Sequence, residues 1–363
     1  MGKRFWIFII VLCLPFGYFY FFSNFFSGSI SYSKDGLEII QEKIPKYLPL
    51  NIALYDQKLN ELANNPIPKV VEPKIDPKTN QPIPSPSPEP TLWPVKTIYP
   101  KDGAILPFQR VIAFYGNLYS TKMGVLGEYQ EEEMILKLKT EVQKWEEADP
   151  TTPVLPALHY IAVVAQGSAG KDGKHRFRMP DLEVEKVLKM AEKAKAIVFL
   201  DFQVGFSTLV KELPVYEKFF KMPNVHLGID PEFSMKGNIR PGKIVGTYDA
   251  RDINFAVNYL SEIVKNNDLP PKILVVHRYT QKMITNYQLI QPTPEVQIVM
   301  HMDGWGVKEK KINTYQQFIY KEPVQFKGFK LFYKNDVWEP NTTLFTPTEL
   351  LKLNPIPIYI QYQ

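Results

Sequence analysis

The sequence predicts an α/β protein: a single (β/α)8 TIM barrel preceded by an N-terminal transmembrane helix and a Pro-rich linker. Three observations carry this. Lys3 and Arg4 precede a run from Phe5 to Phe26 with no charged residue. Eleven of the 32 prolines crowd between Pro66 and Pro100. Beyond that, short apolar runs alternate with amphipathic helical stripes, the order that gives a parallel sheet covered by helices.

The apolar run is about the ~20 residues needed to cross a bilayer. Tyr18, Tyr20 and the nearby phenylalanines suit the membrane interface, and the basic residues before the run place the C-terminal bulk outside the cytoplasm. A cleaved signal peptide would use Ser23-Asn24 or Ser27-Gly28, but after a shorter apolar core. A lipoprotein would need a small residue before Cys13, where Leu12 stands. The length of the run favours an uncleaved signal anchor over residues 1–32, giving a single-pass protein of the cell membrane with an extracytoplasmic C-terminal domain. Residues 33–64 read as a juxtamembrane stalk, with Leu37, Ile40, Ile44 and Leu48 at helical spacing and Pro45 and Pro49 interrupting it. Residues 65–100 read as a semi-rigid polyproline spacer. The barrel domain occupies 101–363.

Composition narrows the function classes. The 363 residues are 45% hydrophobic and 22% charged, ordinary for a chain that buries a core. The net charge of +5 comes without a long Lys/Arg block, so nucleic acid is not indicated as a partner. A single cysteine, Cys13, excludes an intramolecular disulfide and a Cys-based zinc site. No cofactor motif is expected: Tyr115-Gly116-Asn117 after the first strand offers no GxGxxG, and Gly167–Lys174 lacks Walker A spacing. That absence also places a doubly wound open sheet second.

Eight runs are expected as barrel strands: Val111–Tyr115, Leu158–Gln166, Ala196–Gln203, Val225–Asp230, Lys243–Thr247, Lys272–His277, Val296–Asp303 and Phe329–Tyr333. Among the stripes between them, Ile253, Ala256, Val257, Leu260, Ile263 and Val264 form the clearest.

Side chains alternate along a strand, so parity separates the helix-facing residues from those pointing into the barrel. Active sites of such barrels lie at the C-terminal ends of the strands. Parity there selects Tyr115 and Asn117, Asp201 and Gln203, Asp230 and Glu232, His277, and His301 and Asp303. An Asp at one strand end is commonly a helix cap. Convergence from several strands points beyond that, to one protonated and one ionised carboxyl, the pairing that glycoside cleavage uses. Trp305, after Asp303-Gly304, is placed to stack on a sugar ring or to pack the rim. His277 and His301 with nearby aspartates also admit a metal site, although no HxH or HxxxH spacing occurs, and no metal is assigned.

Four motifs carry a family resemblance over roughly 110–363: Leu200–Gly205, His226–Phe233, Val275–Thr280 and Met302–Gly306. Together they resemble a set found in uncharacterised secreted or lipoprotein-type bacterial TIM-barrel proteins. More distantly, the Asp230-Pro231-Glu232 ending of strand four resembles barrel glycoside hydrolases, the lysozyme-like muramidases included. That resemblance implies Glu232 as proton donor and Asp230 as its neighbour. The Asp that muramidases carry near their first strand is absent here. The expectation is an extracytoplasmic glycoside hydrolase-like enzyme acting on a cell-envelope or environmental polysaccharide. Asp201 or Asp303 would serve as nucleophile or base, and Tyr115, Asn117, Gln203, His277, His301 and Trp305 would bind substrate. A non-catalytic carbohydrate-binding barrel and a metal-dependent hydrolase are the alternatives.

Overall fold

The computed structural model describes residues 46–66 and 91–363. The chain divides into two units, Met1–Lys46 and Tyr47–Gln363, and the barrel belongs to the second. The run Phe5–Phe26 lies outside the described residues. Among the described residues, no helix is long and apolar enough to cross a membrane.

Eight parallel strands close into a barrel: β1 (Arg110–Gly116), β2 (Val154–Ala165), β3 (Ile197–Phe202), β4 (Val225–Ile229), β5 (Lys272–Arg278), β6 (Val296–Met302), β7 (Phe326–Leu331) and β8 (Tyr359–Tyr362). Pairing of β1 with both β2 and β8 makes the closure. The alternation read from the sequence holds in the packing. Val198, Leu200 and Phe202 of β3 join the apolar layer between sheet and helices, while Ile197 and Phe199 join the barrel interior. Two of the outer helices are α2 (Glu131–Ala148) and α3 (Asp181–Ala194), and α1 (Ile52–Ala63) precedes β1. The longest stripe forms α4 (Ala250–Asn266), with Ile253, Ala256, Val257, Leu260, Ile263 and Val264 all buried. It opens on a capping box in which the Asp249 carboxylate accepts from the backbone and Asp252 returns the bond.

One expected strand is absent and another takes its place. Lys243–Thr247 is not a barrel strand. Its two consecutive apolar residues, Ile244 and Val245, are exposed. The segment instead lies against the turn after β4, where Gly246 N–H donates to Glu232 O at 2.6 Å. A Cβ at Gly246 would meet Pro231 O and Ser234 O at 2.6 Å, so the close approach requires glycine. Beyond it, Tyr248–Asp249 pairs with Ile284–Thr285 in a separate two-stranded sheet. The eighth barrel strand is β8 at the C-terminal end, wedged between β7 and β1.

The bottom of the barrel is plugged by α1, which falls in the segment that the sequence assigns to the stalk. Asn51 caps it through a bond accepted from Leu54 N. Asn64, in the left-handed region at φ 49°, ends it. Tyr55 and Leu62 join the interior cluster with Val111, Ala113 and Phe199. Ile356 N donates to Leu62 O at 2.8 Å and ties the helix to the approach of β8. Further on, Trp93 is buried, donates to Tyr320 O at 3.0 Å and lies under the Lys327 ammonium. Both segments therefore contribute core to the barrel. Leu62→Ala is expected to destabilise the protein by about 2–5 kcal/mol, the usual range for emptying a buried leucine site. A urea midpoint unchanged from wild type would show that α1 adds nothing to barrel stability.

Candidate active site

Because the eight barrel strands all run the same way, the inward residues at their C-terminal ends meet at one opening. A cavity of about 730 Å³ lies there. Asp230, Glu232, Asp303, Gln203, Tyr115 and Trp305 line it, joined by Tyr279 and Lys330. Three of the four expected carboxylates thus reach the same space. The fourth, Asp201, lies fully buried among polar neighbours.

His277 organises that buried layer. Its Nδ1 lies 2.7 Å from Asp303 Oδ2 and its Nε2 lies 3.4 Å from Asp201 Oδ1, so one imidazole sits between two carboxylates. Burial pushes the imidazole toward neutrality, but the charges of Asp201 and Asp303 outweigh it and raise it to about 10. His277 is therefore an imidazolium at neutral pH. On the other side of Asp201, the Tyr115 hydroxyl donates to Oδ2 at 3.0 Å and His159 Nε2 lies 3.2 Å from Oδ1. Burial disfavours the Asp201 carboxylate, yet His277 and His159 together hold it well below the usual range.

His159 differs from His277 in charge. Burial lowers it to about 4, so it is neutral. Its Nδ1 lies 2.6 Å from the Tyr359 hydroxyl, which already accepts from Gln361 Nε2 at 3.0 Å. An ionised carboxylate only accepts, so the neutral imidazole carries its proton on Nε2, toward Asp201, and its Nδ1 accepts from the Tyr359 hydroxyl. Asp303 has a second cation, Lys330 Nζ, at 2.9 Å. Burial acts against its charge, and Lys330 with His277 keeps the carboxylate well below its ordinary value.

The other two carboxyls behave in the opposite way. Burial pushes Asp230 well above the ordinary value, and the neighbouring carboxylates add to it against the pull of His277. Its Oδ1 accepts from Glu232 N at 3.0 Å, capping the short turn Pro231–Phe233 that presents Glu232. Glu232 itself is raised by burial and by the charge of Asp303, with Tyr279 and Lys330 opposing. The cavity therefore faces one ionised carboxylate and two carboxyls biased toward the protonated form.

The remaining expected residues are spread more widely. Gln203 donates to the Tyr115 hydroxyl at 3.3 Å and accepts from Ala165 N. Asn117 is committed to the backbone, donating to Ile161 O and accepting from Tyr119 N. His301 lies on β6, two residues before Asp303, its ring edge-on to His277 and Tyr359. Trp305 is half-exposed at the rim. The sequence does not single out His159, Lys330, Tyr279 or Tyr359. The parity rule applied to β7 would have found Lys330, since Phe329 and Leu331 both face the helices.

Two trios offer ligand atoms within 4.8 Å of one another, His159/Asp201/His277 and Asp230/His277/Asp303, and so could hold a metal ion. Both share His277, whose two nitrogens already face carboxylates, and the second competes with Lys330 for Asp303.

Neither a protein-family model nor a curated protein matches this sequence. Among solved structures, the fold is similar to a GH5-4 broad specificity endoglucanase from an uncultured bovine rumen ciliate, at 11% identity over 65% of this chain and 77% of that one, with a TM-score of 0.36. It is also similar to a ruminal GH26 endo-beta-1,4-mannanase, at 10% identity, 70% and 58% coverage and a TM-score of 0.32. A Burkholderia cenocepacia dihydropteroate synthase gives 9% identity, 71% and 86% coverage and a TM-score of 0.32. Likeness this low, shared between hydrolases and a synthase, fixes no activity.

The imidazolium makes the cluster pH-sensitive. His277 is raised on folding, so its contribution is complete below its ordinary 6.5 and is lost as pH climbs through about 10. Asp201 is lowered, so its contribution is present above 3.8 and is lost on acidification. His277→Gln is expected to cost about 3–5 kcal/mol at pH 6 and to flatten the decline in thermal stability between pH 6.5 and 10. Parallel wild-type and variant curves over that window would show that His277 carries no charge in the folded protein.

Proposed function

We propose that this chain is a glycoside hydrolase-like enzyme acting on a cell-envelope or environmental polysaccharide, tethered outside the cytoplasmic membrane by the Phe5–Phe26 run. The observation that carries the catalytic part is that Glu232 and Asp303 line one cavity with their carboxyls shifted in opposite directions, Glu232 up by burial and Asp303 down by Lys330 and His277. Cleaving a glycosidic bond needs a proton for the departing oxygen and electron density for the anomeric carbon. Glu232, biased toward its protonated form, gives the proton. Asp303, kept ionised by Lys330 and His277, attacks the carbon or takes the proton of an attacking water. Asp230 holds the Glu232 turn in place, and Gln203 and Tyr115 offer polar atoms for sugar hydroxyls. The tether rests on the sequence alone.

Asp201, an alternative nucleophile from the sequence, is less suited because it lies in the layer beneath and its oxygens face Tyr115, His159 and His277. It supports the site by keeping His277 charged. The metal-dependent reading is less favoured for a related reason: binding an ion at either trio would require His277 to give up a proton that two carboxylates stabilise.

The test is a glycan panel, peptidoglycan included, assayed with the purified protein. Glu232→Gln and Asp303→Asn are each expected to lower kcat by about 10²–10⁴-fold, the share that general acid–base groups supply, with the fold intact by circular dichroism. Wild-type turnover surviving in Glu232→Gln would remove its acid role. Loss of wild-type activity on chelation would favour the metal reading.

The same assignment fixes the pH profile. Activity should fall on the acid side as Asp303 protonates, below the ordinary 3.8, and on the alkaline side as Glu232 ionises, above the ordinary 4.5. In Glu232→Gln the alkaline limb should vanish from the residual rate. An alkaline limb that persists unchanged belongs to another group.

A further inference from the structure

The cavity carries cations that the proposed chemistry does not use. Three lysines line it: Lys122, Lys310 and Lys330. Lys330 is engaged by Asp303. Lys122 and Lys310 are exposed, and neither forms an ion pair among the described residues. The Lys310 ammonium rests 4.5 Å from the centre of the Trp305 ring. The backbone arranges this contact. Gly306 stands at φ +131°, and a Cβ there would come within 2.9 Å of Lys310 Cδ, so glycine leaves the lysine stem its path along the rim. A cation–π contact at an exposed site is weak, whereas a carboxylate offers the ammonium a charge-assisted hydrogen bond. Lys310 is thus parked on an aromatic platform and available to a stronger anionic partner. Of the three lysines in the lining only Lys330 is paired with a carboxylate, so Lys122 and Lys310 present their ammonium groups at the mouth without an anionic partner among the described residues. Unpaired ammonium groups at the rim of a cleft attract anions to it.

We propose that the glycan taken at this cavity is acidic, bearing carboxylate groups on its sugar rings, with Trp305 as the ring platform and Lys310 and Lys122 as the cations that read the carboxylates. This rests on reading the cavity as a carbohydrate site, and deepens it by naming the substrate class. Trp305 supplies the apolar face that a pyranose ring stacks on, and the lysine beside it distinguishes a uronate-type ring from a neutral one. Lys330, held by Asp303, is left to the reacting centre.

Binding without turnover tests this in the full chain carrying Glu232→Gln, which leaves the Lys330–Asp303 pair in place. Hexagalacturonate and cellohexaose are the probes, followed by calorimetry at low and high salt. Hexagalacturonate is expected to bind about tenfold or more tightly than cellohexaose, one decade of affinity being the smallest preference worth calling selective. The advantage should shrink as salt rises. Lys310→Gln, and Lys122→Gln with it, should remove most of the preference and leave cellohexaose nearly unchanged. Lys189→Gln, on the outer helix α3, should leave both unchanged as a control for net charge. Equal affinity for the two probes, or a preference untouched in the double variant, overturns the proposal. Competition by inorganic polyphosphate as strong as that by hexagalacturonate would show a general anion patch and overturn its sugar part. Charge-selective binding with no wild-type turnover of any glycan keeps this inference and ends the hydrolase reading. Turnover of neutral glycans with no charge preference does the reverse.

Discussion

An imidazolium between two buried carboxylates is the constraint on which the upper half of this barrel depends. His277 has no exposure to solvent, and neither has Asp201. Burying three charged groups without pairing would cost far more than the fold has to spare. Paired as they are, each makes the others' ionisation tolerable. The imidazolium compensates Asp201 from one side and Asp303 from the other, and Lys330 supplies the remaining positive charge. Removing His277 would leave Asp201 and Asp303 facing each other without the positive charge between them. Packing enforces the arrangement. Gly228, on the strand beside Asp201, has no room for a Cβ, which would fall 2.3 Å from His159 Nε2 and 2.4 Å from Asp201 Oδ1. Gly328 is likewise hemmed in by His301 and Tyr359. The two glycines give up side-chain packing so that imidazole and phenol rings can fill the barrel centre.

This layer also explains why the cavity above it is electrically uneven. A carboxyl group's ionisation follows its nearest charges and its distance from water. Asp303 reaches both cations and stays ionised. Asp230 and Glu232 face the same space with less positive charge beside them and with Asp303 as a like neighbour, so both are biased toward the protonated form. The asymmetry is imposed by His277 from below and by Lys330 and Asp303 from within the cavity wall. Such an arrangement separates an acid from a base without placing either on a flexible loop, since Asp303 follows β6 directly and Glu232 sits in a capped turn.

Much of this is legible in the sequence because two periodicities are strict. The alternation along Val198–Gln203 places Asp201 inward, and the same rule applied to β4 and β6 brings Asp230, Glu232 and Asp303 to one end. It fails where apolar content misleads. Lys243–Thr247 has two aliphatic residues and no partner strand, because Gly246 is drawn against the turn after β4. Tyr359–Tyr362 has the look of a short tail, although Ile360 and Tyr362 face the helices and Tyr359 joins the interior cluster. Lys330 is missed for the opposite reason, a charge inside a strand being ordinarily a solvated one. His159 is placed inward by the same parity, between the helix-facing Leu158 and Tyr160, but carries no motif to mark it. Its role follows from its register beside Tyr115 and Phe199, which is a property of the closed sheet and of no single strand.

The barrel therefore grades from bottom to top, and the gradient has a physical logic. At the lower end Tyr55, Leu62 and Phe199 form a dry plug, with α1 drawn in to complete it. Rings stand beside and above them, His226, which accepts from Ile273 N, in register with Phe199, and His301 in register with His277. Higher still comes the ionised tier, and only then the open cavity. A charged tier directly on solvent would be screened and would lose its grip on neighbouring ionisation. The same charges set against aliphatic side chains alone, without the His159 ring that stacks on Phe199 and faces Asp201, would meet more of the cost of desolvation. Phenols and imidazoles, part apolar and part polar, are the side chains suited to bridge those environments. Their position between plug and cavity lets a fold stabilised by hydrophobic burial hold several charges close to the point where a ligand would enter.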